Sequence, residues 1–171
     1  RLLERHRPDA TRTDRRGVEW HYLWQQGHCD YRTIGSFGGD IYFVGYSPGG
    51  RWLITAGKDA EVRLWDAQTS RPSVTFHTGQ GEVNGVAVCP GGELLAAAGD
   101  DGTVRVWNLQ SRRETVRIQA FPSHAYQVVF LPDGRLASCA QHGEIRLWDA
   151  RTGEAAGALL GHRISVEAIC L

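Results

Sequence analysis

A nine-residue stretch occurs three times in this chain, and this repetition constrains the fold more than any other feature. EVRLWDAQT begins at residue 61, TVRVWNLQS at 103 and EIRLWDART at 144. The copies are 42 and 41 residues apart, counted between Trp65, Trp107 and Trp148. Two further series recur every 42 residues: the turns SPGG, CPGG and LPDG, and the polar segments GKDAE, GDDGT and QHGE. Three independent markers in one phase indicate a true structural repeat.

Each repeat is predicted to form four short β-strands separated by tight turns. Pro presets the φ angle that a tight turn needs and Gly tolerates positive φ, so the chain reverses at each Pro-Gly turn. A lone four-stranded sheet cannot cover both of its faces, whereas similar sheets stacked around an axis cover one another. A period of about forty residues with four strands per repeat is typical of a β-propeller, which is an all-β fold. In the second repeat the predicted strands are residues 82–90, 93–99, 103–109 and 114–121.

The third strand of the second repeat alternates clearly between two kinds of side chain. Successive side chains of a strand point to opposite faces of the sheet. Val104 and Val106 are therefore expected on one face, and Arg105 and Trp107 on the other. Each face would then pack against a different neighbouring sheet.

These residues resemble the WD40 repeat family over about residues 30–171. The resemblance implies a partial WD40 β-propeller with three four-stranded blades and the start of a fourth. It also implies a non-catalytic scaffold for protein–protein interaction. The residues that carry it are Trp65-Asp66, Trp148-Asp149, the variant Trp107-Asn108, the Pro-Gly turns, Gly161-His162, and Asp59 and Asp101 in the turn before the third strand.

WD40 repeats contain a hydrogen-bonded tetrad of side chains. Its members are a His before the first strand, a Ser or Thr in the second strand, an Asp in the following turn and the Trp of the third strand. The resemblance implies that all three tetrads are incomplete here. The first repeat has no His, Ala97 replaces the hydroxyl residue of the second, and His142 replaces the Asp of the third. Each lost hydrogen bond should cost about 1 kcal/mol. The tetrad residues that remain are Thr55, Asp59 and Trp65, then His77, Asp101 and Trp107, and finally Ser138 and Trp148.

The repeats are expected to follow a separate lead-in at residues 1–29. RLLERHRP is predicted to be the end of a helix stopped by Pro8, and VEWHYLWQQ (18–26) a short, mostly apolar helix. DYRTIGSF (30–37) is predicted to be a strand. Because propellers use about 4–8 blades, we expect the chain to be a fragment of a larger protein. The repeats would occupy about 35–76, 77–118 and 119–160, with residues 161–171 resembling a first strand and opening a fourth.

The lead-in gives a second interpretation of the function. It is similar to the junction before WD40 repeats in large bacterial multidomain proteins, some of which carry an upstream serine/threonine kinase domain. The repeats would then be the regulatory or sensor region of a kinase whose catalytic domain is absent here. This segment has no Gly-rich loop with a following lysine, no HRD loop and no DFG. We expect a cytoplasmic location, or tethering to a membrane through an upstream segment.

No pattern in the sequence predicts a catalytic, cofactor or metal site. AGKDA (56–60) lacks the first Gly and the Ser/Thr of a phosphate-binding loop. His28, Cys29 and Asp30 are adjacent, whereas triad members converge from distant parts of a chain. The four cysteines lack zinc-ligand spacing and are expected to be buried thiols, with disulfides open if the domain is exported. A net charge of zero gives no reason to expect nucleic acid or membrane contact.

The remaining candidate is a surface for a protein partner. In propellers, the loops before the first strand and the turns between the second and third strands share one rim, where partners usually dock. This rim would carry both signs of charge and no aromatic cluster, and a solvated rim without a function is the alternative. It is predicted to display Lys58, Gln80, Glu82, Asp100, Gln141 and His142.

Overall fold

The computed structural model describes residues 33–141 and 143–170. This part of the chain contains twelve β-strands and no helix. Each repeat contributes four strands, and each Pro-Gly turn joins the first strand of a repeat to the second. The strands are β1 (Ile41–Tyr46), β2 (Trp52–Gly57), β3 (Glu61–Asp66), β4 (Pro72–His77), β5 (Val83–Val88), β6 (Leu94–Gly99), β7 (Thr103–Asn108), β8 (Arg113–Gln119), β9 (Ala125–Phe130), β10 (Arg135–Ala140), β11 (Ile145–Asp149) and β12 (Ala155–Leu159).

The twelve strands form three antiparallel four-stranded sheets, which we call blades. Blade 1 contains β1–β4, blade 2 contains β5–β8 and blade 3 contains β9–β12, each with its strands side by side in chain order. All four strands predicted for the second repeat form. The prediction of an all-β fold built from three four-stranded blades is therefore confirmed.

The pairing register repeats from blade to blade, including its irregularities. The first strand of each blade carries one extra residue opposite the second strand, at Tyr42, Asn84 and Tyr126. The fourth strand of each blade likewise carries one extra residue opposite the third strand. Bulges of this kind redirect side chains and increase local twist. Their recurrence shows that the repeat extends to backbone geometry.

The apolar core lies between the blades. One cluster joins Val62 and Leu64 of blade 1 to Val83, Val86 and Trp107 of blade 2, all of them buried. Burying a side chain of this size contributes about 1.5–3 kcal/mol. Each blade therefore depends on its neighbour for a large part of its stability.

A second cluster lies between blades 2 and 3 and has the same construction. Val104 and Val106 of blade 2 pack against Val128, Phe130 and Trp148 of blade 3. Because Trp107 belongs to the cluster on the other face, β7 sends alternate side chains to two different neighbours, as the sequence predicted.

The described residues of two further predicted strands, one at each end of the repeats, do not form strands. Residues 33–37 of the stretch predicted to be a strand are not a strand, and the rest of that stretch lies outside the described residues. Residues 161–170 are also irregular, although Val166 is buried and its N–H donates to Ala140 O at 3.2 Å. A strand needs a continuous hydrogen-bonding partner, and no described strand pairs with either segment. The lead-in at residues 1–29, which is predicted to be helical, lies outside the described residues.

The cysteines of the described residues are free thiols in three different environments. Cys139 is buried, Cys89 half-buried and Cys170 exposed. The expectation of buried thiols was therefore wrong for Cys170, which lies in the irregular segment after blade 3. Cys29 lies outside the described residues.

Candidate functional site

The third-strand tryptophans of blades 1 and 3 are held by hydroxyl groups of the second strand. Trp65 Nε1 donates to Thr55 Oγ1 at 2.9 Å, and Trp148 Nε1 donates to Ser138 Oγ at 2.8 Å. All four side chains are buried. A buried indole N–H needs an acceptor, so these bonds fix the rings between the strands rather than presenting them to a ligand.

Blade 2 holds its tryptophan by packing instead. Ala97 stands where the hydroxyl residue would be, and the Trp107 ring packs on Phe76 of blade 1 with ring centroids 6.0 Å apart and planes at 52°. Trp107 therefore lies in the interface between blades 1 and 2.

The structure does not place His77 in a tetrad, so that prediction was wrong. Its side chain is 79% exposed, and its Nδ1 lies 3.0 Å from Glu61 Oε1 in the same blade. His77 ends β4, and alternation along the strand turns Phe76 inward and His77 outward. The buried polar side chains in this region are those of Thr78 and Gln80.

Gln80 was predicted to be displayed to a partner, and this was also wrong. Its side chain is completely buried, and its Nε2 lies within hydrogen-bond distance of Ala97 O, Thr103 O and Thr103 Oγ1. Gln80 thus ties the connection between blades 1 and 2 to two strands of blade 2. A short polar loop such as TGQGE does not reveal from its sequence which member turns inward.

The connections between blades are also bound by arginines that the sequence did not mark as site residues. In blade 2, Arg105 donates to Thr78 O at 2.6 Å and pairs with Asp101 at 3.0 Å. In blade 3, Arg146 donates to Ala120 O at 2.7 Å and pairs with Glu144. The signal was present in the repeated Arg two residues before each Trp.

Blade 1 carries the third arginine of this series. Arg63 lies 4.9 Å from the ring centroid of Phe37 and forms an ion pair with Asp59 at 2.6 Å. Phe37 in turn contacts the Trp65 ring edge-on at 5.9 Å. In all three blades the arginine thus fastens the third strand to the chain segment that leads into that blade.

The aspartates that were predicted to belong to the repeat motif stabilise turns. Asp59 and Asp101 accept hydrogen bonds from the backbone N–H two residues later, at 3.3 and 2.9 Å. Asp66 and Asp149 accept N–H bonds from the turns after β3 and β11. The hydrogen bonds from Thr69 lower the pKa of Asp66, and those from Thr152 and Arg151 lower the pKa of Asp149. Carboxylates used in this way have a structural role.

Four of the six predicted partner-facing residues lie in turns and strand starts at one edge of the blades, which we call the upper rim. Lys58 N donates to Asp40 O, and Asp100 N donates to Glu82 O, so turns and strand starts are joined in blades 1 and 2. Lys58 and Gln141 are exposed, and Glu82 and Asp100 are half-buried. His142 lies outside the described residues. The upper rim consists of residues 40–42, 58–60, 82–84, 100–101, 124–126 and 141.

The upper rim also contains aromatic residues, contrary to the prediction of no aromatic cluster. Tyr42 is exposed and Tyr126 is half-buried, and both occupy the bulge position of a first strand. The His124 ring stacks parallel to Tyr126, with centroids 6.4 Å apart. The spacing of 42 residues among Tyr42, Asn84 and Tyr126 could have revealed these positions.

Asp100 lies at the centre of the polar contacts on the upper rim. Its Oδ1 accepts from Asn84 Nδ2 at 2.9 Å and lies 3.0 Å from His124 Nδ1. Asn84 Nδ2 also lies 3.1 Å from Ala125 O. Asp100 therefore links blades 2 and 3 at the rim, through one side chain from each.

Negative charge concentrates around the Tyr42 hydroxyl. Its hydrogen bond to Glu82, together with partial desolvation and the charges of Glu82, Asp40 and Asp100, raises the pKa of Tyr42 above its usual value. Three carboxylates thus act on one exposed phenol. This part of the rim is electrostatically suited to a cationic group.

The opposite edge of the blades, the lower rim, contains shallow clefts. One of about 280 Å³ lies between blades 2 and 3 and is lined by residues that include Pro90, Phe130 and Arg151. Another of about 420 Å³ lies where the first strands end and includes Tyr46, Val88 and Phe130. Both clefts are open. The first is lined by Glu93, Asp133 and Arg151 as well as by apolar residues, and the second has no charged residue in its lining.

Residues 33–141 and 143–170 contain no group of three or more His, Cys, Asp and Glu side chains arranged to hold a metal ion. In the same residues no helix is long and apolar enough to cross a membrane.

Comparison with known protein families identifies the repeats. The model of the WD domain, G-beta repeat, matches residues 27–66, 70–108 and 115–149, which together are more than half of the chain. The chain belongs to the WD40 family. No curated protein matches it significantly. WD40 repeats act as scaffolds for protein–protein interaction, and WD40 domains are generally non-catalytic.

Proposed function

We propose that this WD40 domain binds a protein partner at its upper rim, through a partner segment that carries a Lys or Arg side chain. The observation that supports this proposal is the gathering of Tyr42, Glu82, Asp100 and Tyr126 at one accessible edge. The blades supply a rigid frame, and the bulges aim the side chains of the first strands outward.

The charge distribution supports a basic partner segment. The charges of Glu82, Asp40 and Asp100 all contribute to raising the pKa of Tyr42, whereas Asp59 and Asp101 are paired with Arg63 and Arg105. Glu82, Asp40 and Asp100 therefore contribute negative charge to this part of the upper rim. Complementary charge steers association and selects among partners.

The aromatic residues of the upper rim also favour a basic partner segment. The rings of Tyr42 and Tyr126 offer flat surfaces on which the stem or guanidinium of an Arg can lie. Tyr is enriched at protein interfaces because one side chain supplies both apolar area and a hydrogen bond. A partner segment in which an Arg or Lys stands next to an apolar residue would use both the negative charge and the aromatic surface of the upper rim.

The test begins with a random peptide library displayed on phage and selected against the 171-residue chain. Selected peptides are expected to be rich in Lys and Arg and to bind more weakly as the salt concentration rises. Asp100→Asn and Tyr42→Ala should each weaken binding of a selected peptide by about tenfold, measured by fluorescence anisotropy.

Asp133→Asn serves as a matched control, because it removes one carboxylate from the lower rim. Its affinity for the peptide should be unchanged. Peptides that ignore the upper-rim variants but lose affinity on substitution in the lower-rim clefts would contradict the proposal.

We also propose that Trp65, Trp107 and Trp148 have structural roles only, together with Asp66 and Asp149. The burial of the three tryptophans and the turn hydrogen bonds of the two aspartates support this. Folded variants at these positions should bind a selected peptide with little change in affinity.

The alternative proposal is that the repeats are the regulatory or sensor region of a bacterial serine/threonine kinase. Its support is the resemblance of residues 1–29 to the junction upstream of such repeats, with residues 30–171 forming the repeat domain. Reading the gene upstream of Arg1 tests it. Kinase motifs there would support the proposal, and a start codon shortly before Arg1 would contradict it.

A further inference from the structure

The residue immediately before the first strand of a blade is acidic in blades 1 and 2 but a histidine in blade 3. Asp40, Glu82 and His124 occupy this position, 42 residues apart, and all three belong to the upper rim. Carboxylic acids are ordinarily ionised near neutral pH, whereas histidine is the side chain that ordinarily changes its charge between about pH 5 and 8. One member of this series therefore carries a charge that depends on pH.

His124 is placed where its charge acts directly on Asp100. Its Nδ1 lies 3.0 Å from Asp100 Oδ1, and its ring stacks parallel to that of Tyr126. The His124 side chain is 47% exposed and that of Asp100 is 33% exposed, so a partner can reach both. The contact joins the segment before blade 3 to the turn between the second and third strands of blade 2.

Asn84 fixes the position of Asp100 independently of His124. Its Nδ2 lies 2.9 Å from the same Asp100 oxygen and 3.1 Å from Ala125 O. An amide does not titrate, so this contact is kept at every pH. Protonation of His124 is therefore expected to change the charge beside Asp100 without releasing its carboxylate from the rim.

The charged and titratable groups on the elements packed against His124 are of kinds that ordinarily titrate outside the range from about pH 5.5 to 7.5. Carboxylic acids titrate near pH 4 and phenols near pH 10. The groups are Asp100 and Asp101 in the turn between β6 and β7, Arg105 in β7, which pairs with Asp101, Glu82 before β5, and Tyr126 in β9. His124 is thus the member of this cluster suited to respond to pH in that range.

We propose that His124 makes the upper rim sensitive to pH, so that a basic partner segment binds more tightly as His124 loses its proton. This inference rests on the function proposed for the upper rim. Protonated His124 opposes the charge of Asp100 and repels a Lys or Arg of the partner, whereas neutral His124 leaves the carboxylates of the rim to attract it. Binding in the range where His124 titrates should therefore release protons.

The affinity of one selected peptide, measured across this pH range, tests the inference. The peptide is selected on phage at about pH 7.5 and resynthesised with blocked ends and with Gln or Ser in place of any His or Cys, so that its own charge stays constant. Fluorescence anisotropy should show the affinity falling by about fivefold from pH 7.5 to 5.5. This is less than the effect of Asp100→Asn, because the carboxylate is opposed rather than removed. Circular dichroism at both pH values checks the fold.

Two histidine variants assign the effect to its source. His124→Gln keeps a side chain that can donate to Asp100 but carries no charge, so its affinity should be the same at both pH values. His77→Gln is the matched control, because His77 also lies 3.0 Å from a carboxylate, that of Glu61 in blade 1. It should keep the wild-type pH dependence. Calorimetry in two buffers of different ionisation enthalpy should detect proton release for wild type and His77→Gln, and none for His124→Gln.

The outcomes separate failure of this inference from failure of the proposed function. Asp100→Asn without effect on peptide affinity at pH 7.5 would contradict both. Asp100→Asn that weakens binding, combined with a wild-type affinity that is constant from pH 5.5 to 7.5, would overturn the role of His124 alone. A pH dependence or proton release that persists in His124→Gln would assign the effect to another group and would also overturn that role.

Discussion

Blades 2 and 3 share the same strand order and nearly the same register, yet they hold their central tryptophans by different means. In blade 3, Trp148 donates to Ser138, whereas in blade 2 Trp107 faces Ala97 and packs on Phe76 of the neighbouring blade. The same architecture is thus reached with a hydrogen bond in one blade and with aromatic packing in the other.

Blade 2 has a polar network of its own in a different place. Gln80, Thr103 and Asp101 are linked by hydrogen bonds, and Arg105 joins them to the chain segment between blades 1 and 2. The half-exposed Arg146 of blade 3 makes a smaller set of bonds. The difference teaches that residues other than the family tetrad can supply hydrogen bonds to buried polar groups of a blade.

The largest expected effect comes from removing the tryptophan of blade 2. Trp107→Ala should lower the free energy of unfolding by about 3–5 kcal/mol, because it leaves a cavity between two blades. Urea unfolding followed by circular dichroism measures the change. A loss below about 1 kcal/mol would show that the blades are not stacked through this ring.

The next effect concerns the arginine of blade 2. Arg105→Ala should cost about 2–3 kcal/mol, because it leaves Asp101 Oδ2 and the Thr78 carbonyl without their donor. Arg117→Ala removes an exposed arginine of the same blade and should cost less than about 1 kcal/mol. Equal losses in the two variants would show that the Arg105 contacts contribute nothing specific.

A smaller effect is expected in blade 3. Ser138→Ala leaves the buried Trp148 indole without an acceptor and should cost about 1–2 kcal/mol. Ala97→Ser introduces a hydroxyl at the corresponding position of blade 2 and should change stability by less than about 1 kcal/mol. If Ala97→Ser were the more damaging of the two, the equivalence of these positions would be disproved.

The smallest effect is a difference in thiol reactivity. Burial raises the pKa of Cys139 to about 11, so little thiolate is present near neutral pH. Cys139 in blade 3 should therefore react with a thiol reagent much more slowly than the exposed Cys170, and its labelling should accelerate on unfolding. Mass spectrometry of labelled peptides separates the two sites, and equally fast labelling would mean that blade 3 opens readily.

The sequence predicted the repeated sheet well, because the period of 42 and 41 residues and the alternation around Trp107 report directly on strands and faces. It failed at residues 33–37 and 161–170, where the apolar pattern suits a strand but no described strand supplies the hydrogen bonds. Strand formation there depends on a neighbour, which a local pattern does not encode.

The candidate site was predicted less completely. Loop position alone suggested an exposed Gln80, although its amide satisfies the backbone oxygens of Ala97 and Thr103 inside blade 2. Tyr42 and Tyr126 were missed because their strands contain bulges that were not predicted from the sequence. These bulges turn the two side chains onto the upper rim. Side-chain direction at a bulge is set by pairing register rather than by simple alternation.

The central claim is that the repeats are blades held together face to face, and a double-mutant cycle between Phe76 and Trp107 tests it most directly. The two rings belong to different blades and pack with centroids 6.0 Å apart. The cycle uses Phe76→Ala, Trp107→Ala and the double variant, each unfolded in urea. A coupling free energy of about 0.5–1.5 kcal/mol is predicted. Losses that simply add would contradict the packing of blade 1 against blade 2.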